Sequence, residues 1–174
     1  EEKANVKKFA QPHLGWPKAT LLRYHMFRNI EHELVKYDYL FFFNANIVFQ
    51  APVLAHQLLP VDEDFVAVNH IFTDRNKFPY EKNPASRAYI PPDQGTHYFM
   101  GGINGGKASR YIEMIRTLQG WIQADLDRNL IAVVHDESYL NKYLLDKKVK
   151  VLGRSYGYPE ELHFPDRPFV LIRD

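Results

Sequence analysis

Cysteine is absent from this chain of 174 residues, which excludes disulfides, thiolate metal sites and thiol nucleophiles together. No apolar run approaches the roughly 18 residues that a bilayer-spanning helix needs. The longest cluster, Tyr39-Leu40-Phe41-Phe42-Phe43, is far shorter. Charge of one sign is missing too. The 22 Lys+Arg face 21 Asp+Glu, so nothing electrostatic points to nucleic acid or an anionic membrane as partner. The eight histidines contain no His-x-x-x-His or His-Glu-x-x-His spacing, which argues against a zinc site. Among the nine glycines there is no Gly-x-Gly-x-x-Gly or Walker pattern, so neither a dinucleotide fold nor a P-loop is indicated. An initiator Met is also lacking. The first Met is Met26, inside a predicted helix, and the sequence reads as a processed or partial chain with no visible signal peptide.

What is present is a globular composition, 45% hydrophobic and 25% charged, with aromatics raised to 14% by Tyr and Phe. A chain of this length buries roughly 70% of its unfolded surface, enough for one sizeable core. Residues 1–14 are polar and without period, and read as an exposed lead-in. Trp16-Pro17 opens a helix to about Val35, with Leu22, Met26, Phe27, Ile30 and Leu34 at helical spacing. Short apolar runs predict strands at 39–43, 65–68, 97–100, 149–152 and 169–172, and Ile47-Val48-Phe49 resumes the apolar character after the first. Ile131-Ala132-Val133-Val134 reads as a further strand ending at the acids that follow. A second helix carries Ala108, Tyr111, Ile112, Ile115, Leu118 and Ile122 on one face, and a short one carries Leu140, Tyr143 and Leu144. Residues 71–96, with four prolines and no period, form a long irregular segment of the kind that is functional or mobile. Strands alternating with helices mean an α/β sheet.

Three constellations carry chemistry. Asn44-Ala45-Asn46 closes a buried strand, where α/β sheets bind ligands and where turns also favour asparagine. Gly101-Gly102 and Gly105-Gly106 permit close backbone approach, or mark a strand bulge before a helix. In His135-Asp136-Glu137-Ser138 the acids fit either a base or nucleophile, or an N-cap (Asp136) with a helix-dipole partner (Glu137).

These blocks, with Trp16-Pro-x-x-Thr20-Leu-x-Arg23, Pro79-Tyr-Glu-Lys-Asn-Pro, Ala88-Tyr-Ile-Pro91 and His135-Asp-Glu-Ser-x-Leu-Asn-Lys-Tyr143, together resemble glycosyltransferase family 6, that of the histo-blood group A/B transferases and α-1,3-galactosyltransferase. The likeness runs from about Leu14 to Asp174. It implies a GT-A type fold, a Rossmann-like mixed sheet flanked by helices. The domain, 1–174, would then lack the N-terminal nucleotide-binding strand-helix unit and the C-terminal basic tail that the family places before and after it. The implied activity is retaining α-1,3 transfer of N-acetylgalactosamine from UDP-GalNAc to a β-galactoside. Galactose as donor sugar, or a non-catalytic sugar-binding remnant, are the alternatives.

By the same resemblance Glu137 is the catalytic carboxylate on the β-face of the donor sugar. Arg23 and Asp136 bind its hydroxyls, and their pairing is expected to keep Asp136 ionised. Asn44, Ala45 and Asn46 stand where animal members hold a metal with Asp-x-Asp. Amides are poor ligands for a hard dication, so the resemblance is to the bacterial metal-independent branch, with no cofactor and no metal. Met100, Gly101 and Gly102 match the donor-selecting stretch, where a Gly at 102 leaves room for a 2-acetamido group. His70 and Glu137 match acceptor-binding positions. Val134 stands where the family usually has Trp, and Pro159 where animal members have an acid. The implied partners are UDP-sugar and a galactoside glycan, and the implied location is the bacterial cytoplasm or the inner membrane surface.

Overall fold

Side chains that alternate along the central strands decide the architecture. The computed structural model describes residues 5–162 and 167–173. Strands β1 (Tyr39–Phe43), β3 (Phe65–Asn69), β4 (Phe99–Lys107) and β5 (Val149–Leu152) form one sheet in the order β1-β4-β3-β5. Strands β2 (Ile47–Phe49), β6 (Tyr158–Pro159) and β7 (Val170–Ile172) form a smaller sheet in the order β2-β7-β6. Pairing is antiparallel around β4 and parallel between β3 and β5, so the larger sheet is mixed.

Along β3, Phe65 and Ala67 enter one core while Val66 and Val68 enter another. The first core lies under the helices. Helix α5 (Ala108–Leu126) supplies Tyr111, Ile112, Ile115, Leu118 and Ile122, the face read from the sequence. Each such fully buried side chain stabilises by about 1.5–3 kcal/mol. Helix α6 (His135–Leu144) adds Tyr139, Leu140, Tyr143 and Leu144. The second core joins Val66, Val68, Met100, Ile103 and Leu152 to Val170 of the small sheet.

The predicted helix to Val35 is three segments, α1 (Lys18–Leu21), α2 (Arg23–Asn29) and α3 (Glu31–Leu34), separated where Leu22 and Ile30 leave helical backbone angles. A four-residue α4 (Ala55–Leu58) precedes β3. The strand expected at 97–100 begins two residues later and runs on through the glycines, as β4. Gly101 to Gly106 lie inside β4, which has neighbours on both sides. A Cβ at Gly105 would strike the Phe41 ring, and one at Gly106 the Asp64 carbonyl oxygen.

The strand expected at Ile131–Val134 does not form. Ala132 is buried, but Ile131 and Val133 are exposed, and the Val133 N–H is taken by a side chain, the Glu81 carboxylate, at 2.8 Å. Asn129 in the left-handed region (φ 57°) ends the turn after α5. Residues 71–96 are irregular as expected, with one 3-10 turn at Arg75–Lys77, yet they have their own core of Phe78, Tyr80, Ile90 and Tyr98. Arg75 stacks over the Tyr80 ring and donates to the carbonyls of Pro91, Gln94 and Gly95. Asp125, fully buried on α5, fixes the same segment by accepting from the Ser86 hydroxyl at 2.6 Å and the Arg87 N–H at 2.9 Å. Among the described residues no helix is long and apolar enough to cross a membrane.

Two glycines separate close packing from conformational freedom. At Gly106 the obstacle is backbone, Asp64 oxygen and Phe65 Cα, so G106A is expected to destabilise by about 1–3 kcal/mol. Gly120 in α5 has nothing within 4 Å of an added Cβ, so G120A is expected to stabilise by about 0.5–1 kcal/mol. Urea denaturation of both variants checks the pair; equal and opposite signs from those stated would contradict the packing described.

Candidate functional site

One peptide group organises the site. Between Ala67 and Asn69 the β3–β4 register shifts, because Ala67 pairs with Asn104 whereas Asn69 pairs with Phe99. The bulge frees the Gly101 peptide from the ladder, and side chains take it instead. The Gly101 N–H donates to Glu137 Oε2 at 2.6 Å. Its carbonyl accepts from Arg23 Nη1 at 2.8 Å and from Asn104 Nδ2 at 3.0 Å. Tyr111 from α5 donates its hydroxyl to Asn104 Oδ1 at 2.6 Å, which fixes that amide. A Cβ on Gly101 would stand 3.2 Å from Glu137 Cβ, so the absent side chain is what lets the acid approach.

Both acids lie in the first turn of α6, entered through His135 in the left-handed region (φ 47°), a conformation that costs a non-glycine residue energy. Asp136 is not an N-cap; the Val134 N–H is met by Ser138 Oγ at 3.0 Å instead. Asp136 faces Arg23 Nη1 at 2.9 Å, with both side chains nearly buried. That contact is an ion pair without hydrogen-bond alignment at Oδ2. Burial pushes the Asp136 carboxyl up to about 7, with Glu137 adding to the rise, against the lowering pull of Arg23. The pairing expected to keep Asp136 ionised is therefore present but outweighed by desolvation. Burial also raises Glu137, opposed by the Tyr98 hydroxyl, which donates to Oε1 at 2.5 Å, and by the Gly101 amide.

Of the residues singled out in the sequence, the structure brings Arg23, Asn44, Gly101, Gly102, Asp136 and Glu137 together. Arg23 is buried at the start of α2, covers the Phe42 ring at 4.2 Å and donates from Nη2 to Asn44 Oδ1 at 3.3 Å. Asn44 follows β1, and its Nδ2 would be 2.9 Å from a Cβ on Gly102. Ala45 and Asn46 are exposed at the turn, and Asn46 Nδ2 donates to the Arg173 carbonyl at 2.5 Å. Met100 points away, into the second core, where it packs over Gly157. His70 stands one side chain off. Its ring stacks on Phe72 at 4.3 Å and meets the Tyr98 ring edge-on at 5.7 Å. Its Nδ1 is buried without a partner, and burial lowers its pKa, which favours the neutral ring.

Four residues that build this site are given no site role by the sequence: Tyr98, Asn104, Tyr111 and Asn141, the last although it lies in the His135–Tyr143 block. Only Asn141 leaves a signal, its position one turn after Glu137 on the same helix face. Among the described residues no three of His, Asp and Glu converge as a metal-binding group. Chemically, Arg23 offers charge-assisted donors and Asp136 acceptors for a polar ligand, while Glu137 offers a fixed carboxylate to an electron-poor carbon.

Comparison with known proteins gives a matching picture. The model of glycosyltransferase family 6 matches residues 12–171. The O-antigen biosynthesis glycosyltransferase WbnI of Escherichia coli is 33% identical over 162 residues, covering 91% of this chain and 68% of that protein. The globoside alpha-1,3-N-acetylgalactosaminyltransferase 1 of Mus musculus is 33% identical over 140 residues, 78% of this chain and 39% of that protein. The histo-blood group ABO system transferase 2 of Rattus norvegicus is 42% identical over 89 residues, 51% of this chain and 27% of that protein. The chain thus spans well under half the length of the two rodent relatives.

The raised Asp136 pKa has a sign that can be measured. A carboxyl whose folded pKa, about 7, exceeds its ordinary value of 3.8 makes the native state the better proton binder between those pH values. Its contribution to stability is complete below about pH 4 and is lost as pH rises to about 7. D136N, which has no such proton, should therefore gain on the parent across that window, by about 1–3 kcal/mol. Paired urea melts at pH 4.5 and 7.5 check this; a D136N deficit that widens with pH would contradict it.

Proposed function

Because the chain belongs to glycosyltransferase family 6, we propose that it transfers N-acetylgalactosamine from UDP-N-acetylgalactosamine to a β-galactoside, forming an α-1,3 link with retention and without a metal ion. The observation that carries this reading is the Glu137 carboxylate, locked by Tyr98 and Gly101 beside the buried Arg23–Asp136 pair, at the end of strand β1. Its α/β mixed sheet flanked by helices agrees with a GT-A-like domain.

In this reading Arg23 and Asp136 hold the hydroxyls of the donor sugar, and Glu137 lies on its β-face. Glu137 acts as the nucleophile that displaces UDP from C1 and is displaced in turn by the acceptor hydroxyl, or as the anion that stabilises an oxocarbenium-like C1 during front-face attack. Its two donors leave each carboxylate oxygen a further lone pair for that contact. Asn44, Ala45 and Asn46 face the diphosphate-sugar as amides and a small residue. Support for metal independence is chemical: amides bind hard dications poorly, and Asn44 is already engaged by the Arg23 guanidinium. Gly102 carries the choice of donor, since a side chain there would crowd Asn44. His70, neutral and with a buried unpartnered nitrogen near Tyr98, is suited to accept a hydrogen bond from the acceptor. Similarity to the Escherichia coli O-antigen enzyme supports a bacterial setting, with UDP-sugars supplied in the cytoplasm.

The test is UDP release from UDP-N-acetylgalactosamine with a β-galactoside acceptor in excess EDTA. Turnover equal to that with added Mn²⁺ is expected. Turnover restored only by Mn²⁺ would remove the metal-independent part, and faster use of UDP-galactose would reassign the donor. E137Q should lose at least about 100-fold in kcat while still binding donor. G102A should shift preference toward UDP-galactose by about 10-fold in competing kcat/KM.

A further inference from the structure

Glu137 is held by groups on a strand, while its own backbone belongs to a helix, so the two elements must stay in register for the acid to keep its bonds. Tyr98 and Gly101 flank Phe99 at the start of β4, and they supply the two donors to the Glu137 carboxylate. One side chain spans the same two elements. Asn141, on α6 and 2% exposed, accepts from the Phe99 N–H at 2.8 Å and donates to the Phe99 carbonyl at 2.8 Å. It donates as well to the Glu137 carbonyl at 2.9 Å. Its amide therefore completes Phe99 as a neighbouring strand would, and ties the backbone of the acid to the middle of the segment that carries the acid's donors.

We propose that Asn141 is a positioning residue for the reaction, whose paired bonds to Phe99 set the sliding register of α6 against β4 and so fix both hydrogen bonds of the Glu137 carboxylate. It acts through Glu137 and contacts no substrate. No other standard side chain of this length offers a donor and an acceptor side by side with a second donor to spare. Aspartate would lose both donors, and leucine would leave the Phe99 N–H and carbonyl buried and unmet. The inference rests on Glu137 being the acid of the proposed reaction.

A stability role alone lowers the melting temperature and nothing else, so the readout is the pH profile of kcat. Loosened bonds from Tyr98 and Gly101 raise the pKa of Glu137, because both donors favour the charged form. The charged and titratable groups facing that carboxylate are Arg23 and Tyr24 from α2, Asp136 from α6 and Tyr98 before β4, and N141A removes none of them. N141A is expected to lower kcat by about 10–100-fold, as misplacement near 1 Å does, with the donor KM nearly unchanged. The acid limb of its profile should move up, toward that of Y98F, which removes one bond outright. I122V, a core change on α5 that removes none of these bonds, should reduce the melting temperature and leave the limb in place.

Should N141A be too unstable to assay, N141S keeps one short hydroxyl in the pocket without the paired amide bonds and is expected to show the same shift. Parental kcat and limb in whichever of the two folds would overturn the proposal. An inactive E137Q beside such a parental profile removes Asn141 alone. An E137Q that keeps its turnover overturns this inference and the proposed reaction together.

Discussion

Everything at the site depends on a peptide bond that the sheet gives up. In a regular ladder the Gly101 N–H and carbonyl would face a neighbouring strand. The register shift opposite Asn69 releases them, and burial then obliges other groups to meet them. Glu137 meets the N–H, and Arg23 with Asn104 meets the carbonyl. An acid from α6 and a cation from α2, far apart in sequence, are thus drawn to the two ends of one peptide group. Glycine at 101 makes the approach possible, since a Cβ would press on the Glu137 side chain. The irregularity in the strand is what builds the site.

The buried carboxylates fall into two kinds, and the contrast bears on which of them work. Asp125 is met by the Ser86 and Tyr139 hydroxyls, the Arg87 N–H and the Arg128 guanidinium. Glu81 is met by the N–H groups of Asn83 and Val133. These two are occupied by the protein itself and hold loops in place. Asp136 is different. It is as buried as they are, yet it has an ion pair at 2.9 Å and an oxygen with no aligned donor. An under-satisfied buried acid costs the fold stability, and the expected compensation is a ligand that supplies the missing donors. Sugar hydroxyls are donors of that kind.

The sequence made the strands, the apolar face of α5 and the acids legible because each rests on local pattern or on a block of adjacent residues. Tyr39 to Phe43 is a strand as its apolar run predicts, but it lies at the sheet edge with Leu40 alone buried and Tyr39 exposed. Ala108 to Ile122 is the amphipathic helix its spacing predicts. Ile131 to Val134 misled for the opposite reason. Its apolar run matches a strand, but its backbone partner is the Glu81 side chain some fifty positions away, a pairing no local pattern records. The glycines did allow the close backbone approach and the strand irregularity read from them, but their partners, Phe41 and Asp64 across the sheet, no local pattern records. Tyr98 and Asn104 are ordinary residues at ordinary positions, and they matter only through the Glu137 carboxylate and the Gly101 carbonyl that they meet.

The charge balance around Arg23 gives a physical reason for amides at the end of β1. Within reach of this guanidinium lie two carboxyls, Asp136 and Glu137, and one amide oxygen, that of Asn44. One cation already faces two acids whose pKa values burial raises. A carboxylate at 44 would add a third negative group at the Arg23 Nη2 contact, draw the guanidinium away from Asp136, and raise both acids further. A dication at that position would offset the added charge; an amide avoids it. Asparagine at 44 thus accepts from Arg23 without adding a charge to the cluster.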